Sequence, residues 1–413
     1  MLFNFIRFKP AGPLAALPAA LLSFLAAAML SCTAQRQGSK SLDTGFIDGN
    51  LEAARAQYKV MMQKLPADKL PKSYEAGEDE LVTSGSKSWT SGFYPATLLY
   101  LYEFSGDASL LEEAKKKLTI LEKEKDNKGT HDLGFMLYCS FGNAYRLTGE
   151  AEYKEVLLTG AGSLISRFDP EVGCIKSWDH NGDKWKFPVI IDNMMNLEFL
   201  SWASRESGDP KYRDIALTHA NTTLKNHFRP DNSSWHVVDY DPETGAVRGK
   251  QTHQGAADGS AWARGQAWGL YGYTMMYRET GKKEYLDQAR KIAAFILGHP
   301  NLPGDMIPYW DFDAPGIPDT YRDASAGAIM ASALLELSRL AKDAAYRSAA
   351  EKMLLSLSGK TYKAGPGRNG GFILQHSVGH LPGDSEVDVP LTYADYYYVE
   401  ALMRYKKWFL NND

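Results

Sequence analysis

The sequence predicts an all-α protein, an (α/α)6 toroid of twelve helices in two concentric layers. Three observations predict this fold. About a dozen segments have the length and apolar content of helices, and the amphipathic ones show the helical period. Short glycine-containing links alternate with long loops between these segments. The helices that follow long loops are also more apolar than those that follow short links, which predicts an inner and an outer layer.

The helical segments can be placed by their apolar periodicity. In chain order they are expected near 48–63, 91–104, 108–124, 132–147, 151–168, 190–205, 209–227, 262–279, 283–297, 323–340, 343–357 and 391–408. No segment keeps a period of two over a long run. Only 235–240 and 370–375 are candidates for short strands.

Four short links share one pattern, a glycine followed by an acid or a lysine. They are Ser105–Asp107, Thr148–Glu150, Ser207–Asp209 and Thr280–Lys282. A glycine just after a helix supplies the left-handed conformation that ends it, and the polar residue can cap the next helix. The pattern predicts repeated αα-hairpins, as a helical toroid requires.

Composition sets limits on the class of protein. The chain has 413 residues, of which 44% are hydrophobic and 23% are charged, and its formal net charge is −4. These values are ordinary for a soluble globular protein, and the negative charge argues against a nucleic-acid binder. Because no linker of proline, glycine and serine interrupts residues 48–408, we expect a single domain over 47–413.

The N-terminus has the features of an export signal. Basic residues precede an apolar stretch from Ala11 to Leu30, which predicts a signal over residues 1–31. The four residues ending in Cys32 resemble a bacterial lipoprotein box, and residues 32–46 would form a polar tether. We therefore expect an exported protein, either periplasmic or tethered to the membrane through a lipid on Cys32. A plain secretory signal and an uncleaved anchor are the alternatives.

The sequence predicts no metal site and no cofactor. It has no His-x-x-x-His pair, no paired cysteines, no glycine-rich phosphate loop and no nucleophilic serine motif. Asp239–Asp241 leads into a turn rather than a calcium loop. Beyond Cys32 only Cys139 and Cys174 remain, so no disulfide framework is expected.

Each long loop brings a polar and aromatic cluster to the start of an inner helix. If the helices alternate in direction, these clusters meet at one end of the toroid, where the helix N-termini favour an anionic ligand. The clusters are Trp89–Pro95, His131–Phe135, Ile190–Asn196, Thr252–Gly255 with Trp262–Trp268, Arg322–Ser325 and Tyr393–Tyr397. The active site is expected at that end.

Asp192 and Asp132 are the candidate catalytic residues. The apolar neighbours of Asp192, among them Ile191 and Met194, should raise its pKa by desolvation, and a second carboxylate nearby should raise it further. Two acids in unlike surroundings are typical of general acid–base catalysis. The alternative for each aspartate is a helix N-cap.

Three further side chains are candidates for binding. Arg264 can hold a substrate carboxylate through two parallel hydrogen bonds, or it can pair with Asp258 or Asp323 inside the protein. Trp89 and Trp268 can stack on a sugar ring, and packing in the core is the alternative for each.

These clusters, in this order, resemble the unsaturated glucuronyl hydrolases of glycoside hydrolase family 88, over about residues 45–410. The most specific motifs are His131–Phe135, Ile191–Asn196 and Trp262–Trp268. The resemblance implies an (α/α)6 barrel that removes a 4,5-unsaturated uronic acid from polysaccharide lyase products by hydrating the C4=C5 double bond. It also implies that Asp192 is the catalytic acid/base and Asp132 the second essential carboxylate.

The resemblance extends to the residues that line the sugar pocket. The matching positions are Trp89, His131, His236, His253, Gln254, Arg264 and Trp268. Without it, His236 and His253 are isolated and would be read as ordinary hydrogen-bonding residues. The implied partners are unsaturated chondroitin, hyaluronan or heparin fragments. The alternatives are an unsaturated rhamnogalacturonyl hydrolase, a sugar epimerase and a catalytically idle sugar-binding toroid.

Overall fold

The computed structural model describes residues 42–410, so the predicted export signal and most of the predicted tether lie outside the described residues. Within this range the chain forms twelve α-helices. They are α1 Thr44–Lys64, α2 Phe93–Ser105, α3 Ala108–Leu121, α4 Asn143–Thr148, α5 Ala151–Ile165, α6 Leu197–Ser207, α7 Pro210–Asn226, α8 Ala263–Thr280, α9 Lys283–Gly298, α10 Ala324–Ala341, α11 Ala344–Leu357 and α12 Thr392–Tyr405. A π-helix, Gly134–Gly142, runs directly into α4, and a 3-10 turn, Ile191–Asn196, runs into α6.

The helices form two layers. Helices α2, α4 with its π-helix, α6, α8, α10 and α12 contact one another in a closed ring, and the outer helices pack against them in pairs. One inner helix, α10, is long and apolar enough to cross a membrane by composition, yet it is buried within the toroid. The (α/α)6 toroid predicted from the sequence is therefore confirmed, with the inner helices following the long loops.

The short links end their helices as predicted. The four glycines adopt the left-handed conformation, with φ values of 69° at Gly106, 70° at Gly149, 74° at Gly208 and 68° at Gly281. The predicted polar cap is right only for the two aspartates, Asp107 and Asp209, whose carboxylates accept hydrogen bonds from backbone N–H groups at 3.1 and 3.0 Å. Glu150 and Lys282 do not cap, because N-capping favours a short acceptor side chain.

The predicted strand at 235–240 is present as β6, Val237–Tyr240, whereas the one at 370–375 is wrong. A 3-10 turn covers Asn369–Gly371, and only an isolated bridge joins Leu374 to Lys363. Gly370 and Gly371 have φ values of 61° and 94°, a backbone conformation that cannot continue a strand.

Four small antiparallel sheets, most of which the sequence did not reveal, fill the loops of the described residues. Their other strands are β1 Leu70–Glu75, β2 Glu80–Ser84, β3 Phe168–Asp169, β4 Cys174–Ile175, β5 Phe187–Ile190, β7 Val247–Gln251, β8 Ser377–His380 and β9 Ser385–Val389. Strands this short show no clear period of two. Two of them matter for the site, because β5 leads straight into the 3-10 turn before α6 and β8 lies against the start of α10.

Candidate active site

Four of the six predicted clusters contribute residues to a cavity of about 250 Å³ at the N-terminal end of the inner helices, whereas Arg322–Ser325 and Tyr393–Tyr397 do not line it. Its wall contains six of the nine predicted site residues, namely Trp89, His131, Asp132, Asp192, Gln254 and Arg264. Five of them lie just before, or in the first turn of, the segment that begins an inner helix, and Gln254 lies in the long loop that precedes α8. The alternating helix directions therefore bring together residues that are up to 175 positions apart, Trp89 and Arg264.

Asp192 lies in the 3-10 turn that follows β5, between the buried side chains of Ile191 and Met194. Burial raises the pKa of Asp192 to about 7; the positive charge of Arg264 opposes this shift and the charge of Asp132 adds to it. The side chain is 13% exposed, and no described residue donates a hydrogen bond to its Oδ2. The carboxyl does not cap the turn, so the N-cap alternative fails. Near neutral pH, Asp192 can therefore hold a proton next to the cavity.

His236 is oriented toward Asp192 by the backbone of the loop before α8. Its Nδ1 accepts hydrogen bonds from the N–H groups of His253 and Gln254 at 3.1 and 3.2 Å, which assigns the ring proton to Nε2. That Nε2 lies 3.8 Å from Asp192 Oδ2. Burial, followed by the charges of His253 and Arg264, holds the pKa of His236 well below its usual value. His236 is thus a neutral donor beside the acid.

Asp132 is held at both of its carboxylate oxygens. The Thr130 hydroxyl donates to Oδ2 at 2.8 Å, and His131 Nε2 lies 3.2 Å from Oδ1. Burial lowers the pKa of the His131 imidazole, while the neighbouring Asp132 charge raises it. The Asp132 side chain does not cap the π-helix, so here too the N-cap alternative fails.

One close backbone approach joins the two turns that carry the carboxylates. The Gly134 N–H donates to Asn196 Oδ1 at 2.8 Å. A Cβ at Gly134 would lie only 2.5 Å from that oxygen and 2.8 Å from Asn196 Cα, so no other residue fits here. Asn193 anchors the same turn by donating from Nδ2 to the Ile175 carbonyl at 2.8 Å. The glycine and the asparagines of the two motifs therefore set the spacing of the acids.

Arg264 is largely committed to partners inside the protein. Its Nη2 donates to the Gly379 carbonyl at 2.7 Å, and its Nη1 donates to the Val378 carbonyl and lies 3.5 Å from Asp323 Oδ2. The predicted alternative, an ion pair with Asp323, is therefore present. Asp258 is not a partner; it accepts a hydrogen bond from the loop backbone instead.

Part of the hydrogen-bonding capacity of the guanidinium nevertheless remains unused. An arginine has five N–H donors, and the contacts to Gly379, Val378 and Asp323 use three of them. The Nε–H has no partner among the described residues, and the adjacent Nη2 keeps one hydrogen. The side chain is only 1% exposed but lines the cavity, so this edge of the fork is the one that could receive a carboxylate.

The predicted stacking of Trp268 on a sugar is wrong. Trp268 is fully buried, and its ring packs against Phe135 and Tyr397 with centroid distances of 5.2 and 5.4 Å. The core-packing alternative therefore holds. The indole N–H still lies close enough to Asp192 to lower the pKa of that carboxyl slightly against the larger effect of burial.

The cavity wall also contains residues that the sequence did not single out. They are Gly129, Thr130, Ser177, Trp178 and His180. Trp178 stacks on His180 at 4.9 Å and lies 5.5 Å from the ring of His253, which is partly exposed at the rim. The long loop between α5 and β5 carries Trp178 and Trp185. The expectation that each long loop brings a polar and aromatic cluster to the site could therefore have identified this cluster as well. Within residues 42–410, no group of histidine, cysteine and acidic side chains is placed to hold a metal ion.

Comparison with known proteins places this site in a family. Residues 61–410 match the sequence pattern of Glycosyl Hydrolase Family 88. An unsaturated glucuronyl hydrolase of Formosa agariphila is 46% identical over 347 residues, which are 84% of this chain and 87% of that protein. An unsaturated chondroitin disaccharide hydrolase of Streptococcus pneumoniae is 35% identical over 78% of this chain and 82% of its own length.

The fold agrees with these matches. The crystal structure of an unsaturated glucuronyl hydrolase specific for heparin is 50% identical, with a TM-score of 0.85 over 87% of this chain and 97% of that one. The matched range includes both carboxylates and every inner helix of the toroid. The chain belongs to glycosyl hydrolase family 88.

Proposed function

We propose that Asp192 and Asp132 carry the reaction of this glycosidase, which removes a 4,5-unsaturated uronic acid from the non-reducing end of an oligosaccharide. The observation that carries the proposal is a buried carboxyl with a pKa of about 7, in a cavity that it shares with a second carboxylate. A general acid works best when its pKa lies near the working pH. The family and the names of the relatives support the reaction class.

The reaction is a hydration of the C4=C5 double bond. Protonated Asp192 delivers its proton to C4, which leaves positive charge shared between C5 and the ring oxygen. Water then adds to C5 and gives a proton to the Asp192 carboxylate, so the acid is regenerated and one water has been added. The resulting hemiketal opens and releases the remaining sugar. Unlike ordinary two-carboxylate glycosidases, the enzyme needs no displacement at C1.

The neighbouring residues take roles that match their contacts. Asp132, fixed by Thr130 and His131, faces the same cavity and stabilises the positive charge that develops on the sugar ring. The free edge of Arg264 receives the uronate carboxylate. Trp89, partly exposed in the wall, offers an aromatic face to the sugar.

The expected substrates are disaccharides left by glycosaminoglycan lyases. Relatives are named for chondroitin disaccharides at 35% identity and for heparin at 50% identity. We therefore expect heparin-derived disaccharides to be the better substrates, followed by those from chondroitin and hyaluronan.

The test is to incubate the protein with unsaturated disaccharides from heparin, chondroitin and hyaluronan and to follow the ultraviolet absorbance of the double bond. We expect the absorbance to disappear, and Asp192→Asn to lose turnover by several orders of magnitude while still binding the disaccharide. Binding without loss of absorbance in the unchanged protein would favour an idle sugar-binding toroid. Near-normal turnover by Asp192→Asn would refute the role of the acid.

We also propose that the protein is exported and held at the membrane through a lipid on Cys32. The signal-like segment and the lipoprotein box support this, and both lie outside the described residues. Cys32→Ala should move the protein from the membrane fraction to the soluble fraction. Cys139→Ala is the matched control and should remain with the membrane. Persistent attachment of Cys32→Ala would indicate an uncleaved anchor.

A further inference from the structure

A second cavity lies inside the toroid, toward the C-terminal ends of the inner helices, and has a volume of about 400 Å³. Phe135 separates it from the carboxylates: its ring contacts Trp89 at 5.5 Å and also forms part of the second cavity's wall. No side chain of this wall takes part in the hydration reaction as described above. We propose that this cavity binds a neutral, polyhydroxylated ring the size of a monosaccharide.

The wall is aromatic on several sides. Eight aromatic residues line the cavity, namely Tyr100, Phe135, Tyr138, Tyr145, Trp202, Tyr271, Tyr396 and Tyr397. Flat aromatic faces suit the apolar C–H faces of a sugar ring, and tyrosines add a polar edge. The volume lies in the range of ordinary small-molecule sites.

The charges of the wall are already paired within the protein, which argues for a neutral occupant. Glu400 accepts hydrogen bonds from the hydroxyls of Tyr271 at 3.1 Å and Tyr100 at 3.3 Å. Arg404 lies 3.6 Å from Glu400 and also pairs with Glu336 at 3.2 Å. A charged ligand would lose its hydration here without finding a free partner, and that is costly.

The other two charged side chains of the wall follow the same pattern. Arg146 holds Glu103 through two hydrogen bonds of 2.8 Å each. Glu198 Oε1 pairs with Arg278 at 2.5 Å. Each of the two arginines and two glutamates of the wall is therefore paired with a group of opposite charge.

Hydrogen-bonding capacity nevertheless remains inside the cavity. No described residue hydrogen-bonds the hydroxyls of Tyr138 and Tyr397, which are wall residues, or the second carboxylate oxygen of Glu198. Two hydroxyls that can donate or accept, together with a carboxylate oxygen that accepts, match the hydroxyl groups of a sugar. Tyr138 reaches the cavity from the π-helix Gly134–Gly142, an uncommon geometry that is frequent at functional sites.

The test uses D-glucose as the neutral probe, glucuronate as the charged probe and cyclohexanol as the apolar ring. Affinities are measured by ligand-observed NMR on the full protein and on three variants. Tyr138→Phe removes one wall hydroxyl and keeps the ring. Tyr102→Phe, on α2 but outside the cavity, is the matched control. Trp89→Ala alters the wall of the carboxylate cavity, and Trp89 does not itself line the second cavity.

We expect saturable binding of glucose that Tyr138→Phe weakens about three- to tenfold, the loss of one hydrogen bond between neutral groups. Tyr102→Phe and Trp89→Ala should leave this binding unchanged, and glucuronate and cyclohexanol should bind more weakly at this site. Crystals soaked in glucose should show the sugar between the tyrosines. The proposal is overturned if glucose does not bind, if it occupies only the carboxylate cavity, or if thermally stable Tyr138→Phe binds it as well as the unchanged protein does.

Discussion

Raising the pH above about 7 should slow catalysis, because Asp192 must carry a proton to begin the reaction. Burial is the main reason that the pKa of this carboxyl is about 7 rather than the ordinary 3.8. Only the protonated form can act as the acid. The value of kcat/KM should therefore be level below the pKa and fall tenfold for each pH unit above it.

The size of the pH effect on kcat/KM follows from the raised pKa of Asp192. At pH 6, roughly 90% of a carboxyl with a pKa of about 7 is protonated, against roughly 0.6% of one with a pKa of 3.8. Burial thus increases the active fraction by roughly 140-fold. At pH 8 the protonated fraction falls to roughly 10%, so kcat/KM should drop roughly tenfold from its plateau.

The assay is the initial rate of absorbance loss at low substrate concentration between pH 5 and 9. A second buried carboxyl, Asp395, also has its pKa raised by burial to about 7, and it lies outside the site, where it accepts hydrogen bonds from the Ile373 and Leu374 backbone. Circular dichroism at each pH must therefore show that the fold is intact. A kcat/KM that stays level or rises from pH 6.5 to 8.5 in the folded protein would refute the assignment of the acid.

Three further predictions concern the residues that hold the site. Because the pKa of Asp192 is higher in the folded than in the unfolded protein, ionising this carboxyl destabilises the folded state as the pH rises from about 4 to 7. Relative to the unchanged protein, the free energy of unfolding of Asp192→Asn in urea should therefore rise by up to ~4 kcal/mol over this pH range. No such gain at pH 8 would contradict the prediction. Gly134→Ala should push the two acid-bearing turns apart and lower kcat about 100-fold with the fold retained. Gly142→Ala, in the same π-helix, is the control and should retain most of the activity. Equal kcat values for the two variants would count against the role of Gly134 in spacing the acids. Arg264→Ala should lower the free energy of unfolding in urea by about 3–5 kcal/mol, because it leaves buried Asp323 without its cation. The loss should be smaller when Asp323→Asn is already present. Additive losses from the two substitutions would show that the two side chains do not interact.

Much of the fold could be predicted because the signals are local. A helix shows its period within a few turns, and a glycine after its last turn marks its end wherever the segment lies in the protein. The alternation of short links and long loops then implies two layers and one shared rim. That reasoning was sufficient to bring Asp132 and Asp192, sixty residues apart, to one cavity.

The short strands were beyond this reasoning, because hairpins such as β8–β9 contain too few residues to show a pattern. Their positions matter all the same. The carbonyls of Val378 and Gly379 take up two of the donors of Arg264, and no property of the sequence around Arg264 indicates that they lie nearby.

The sequence by itself thus determined the toroid, the end at which the site lies and the two acids within it. Only the tertiary structure decided that Trp268 packs in the core, that the Nε–H of Arg264 has no partner among the described residues, that Trp178 joins the cavity wall, and that a second cavity exists beyond Phe135. The physical reason is that burial, pKa and choice of partner depend on atoms contributed by distant parts of the chain. Periodicity and capping, in contrast, depend on neighbours a few residues away.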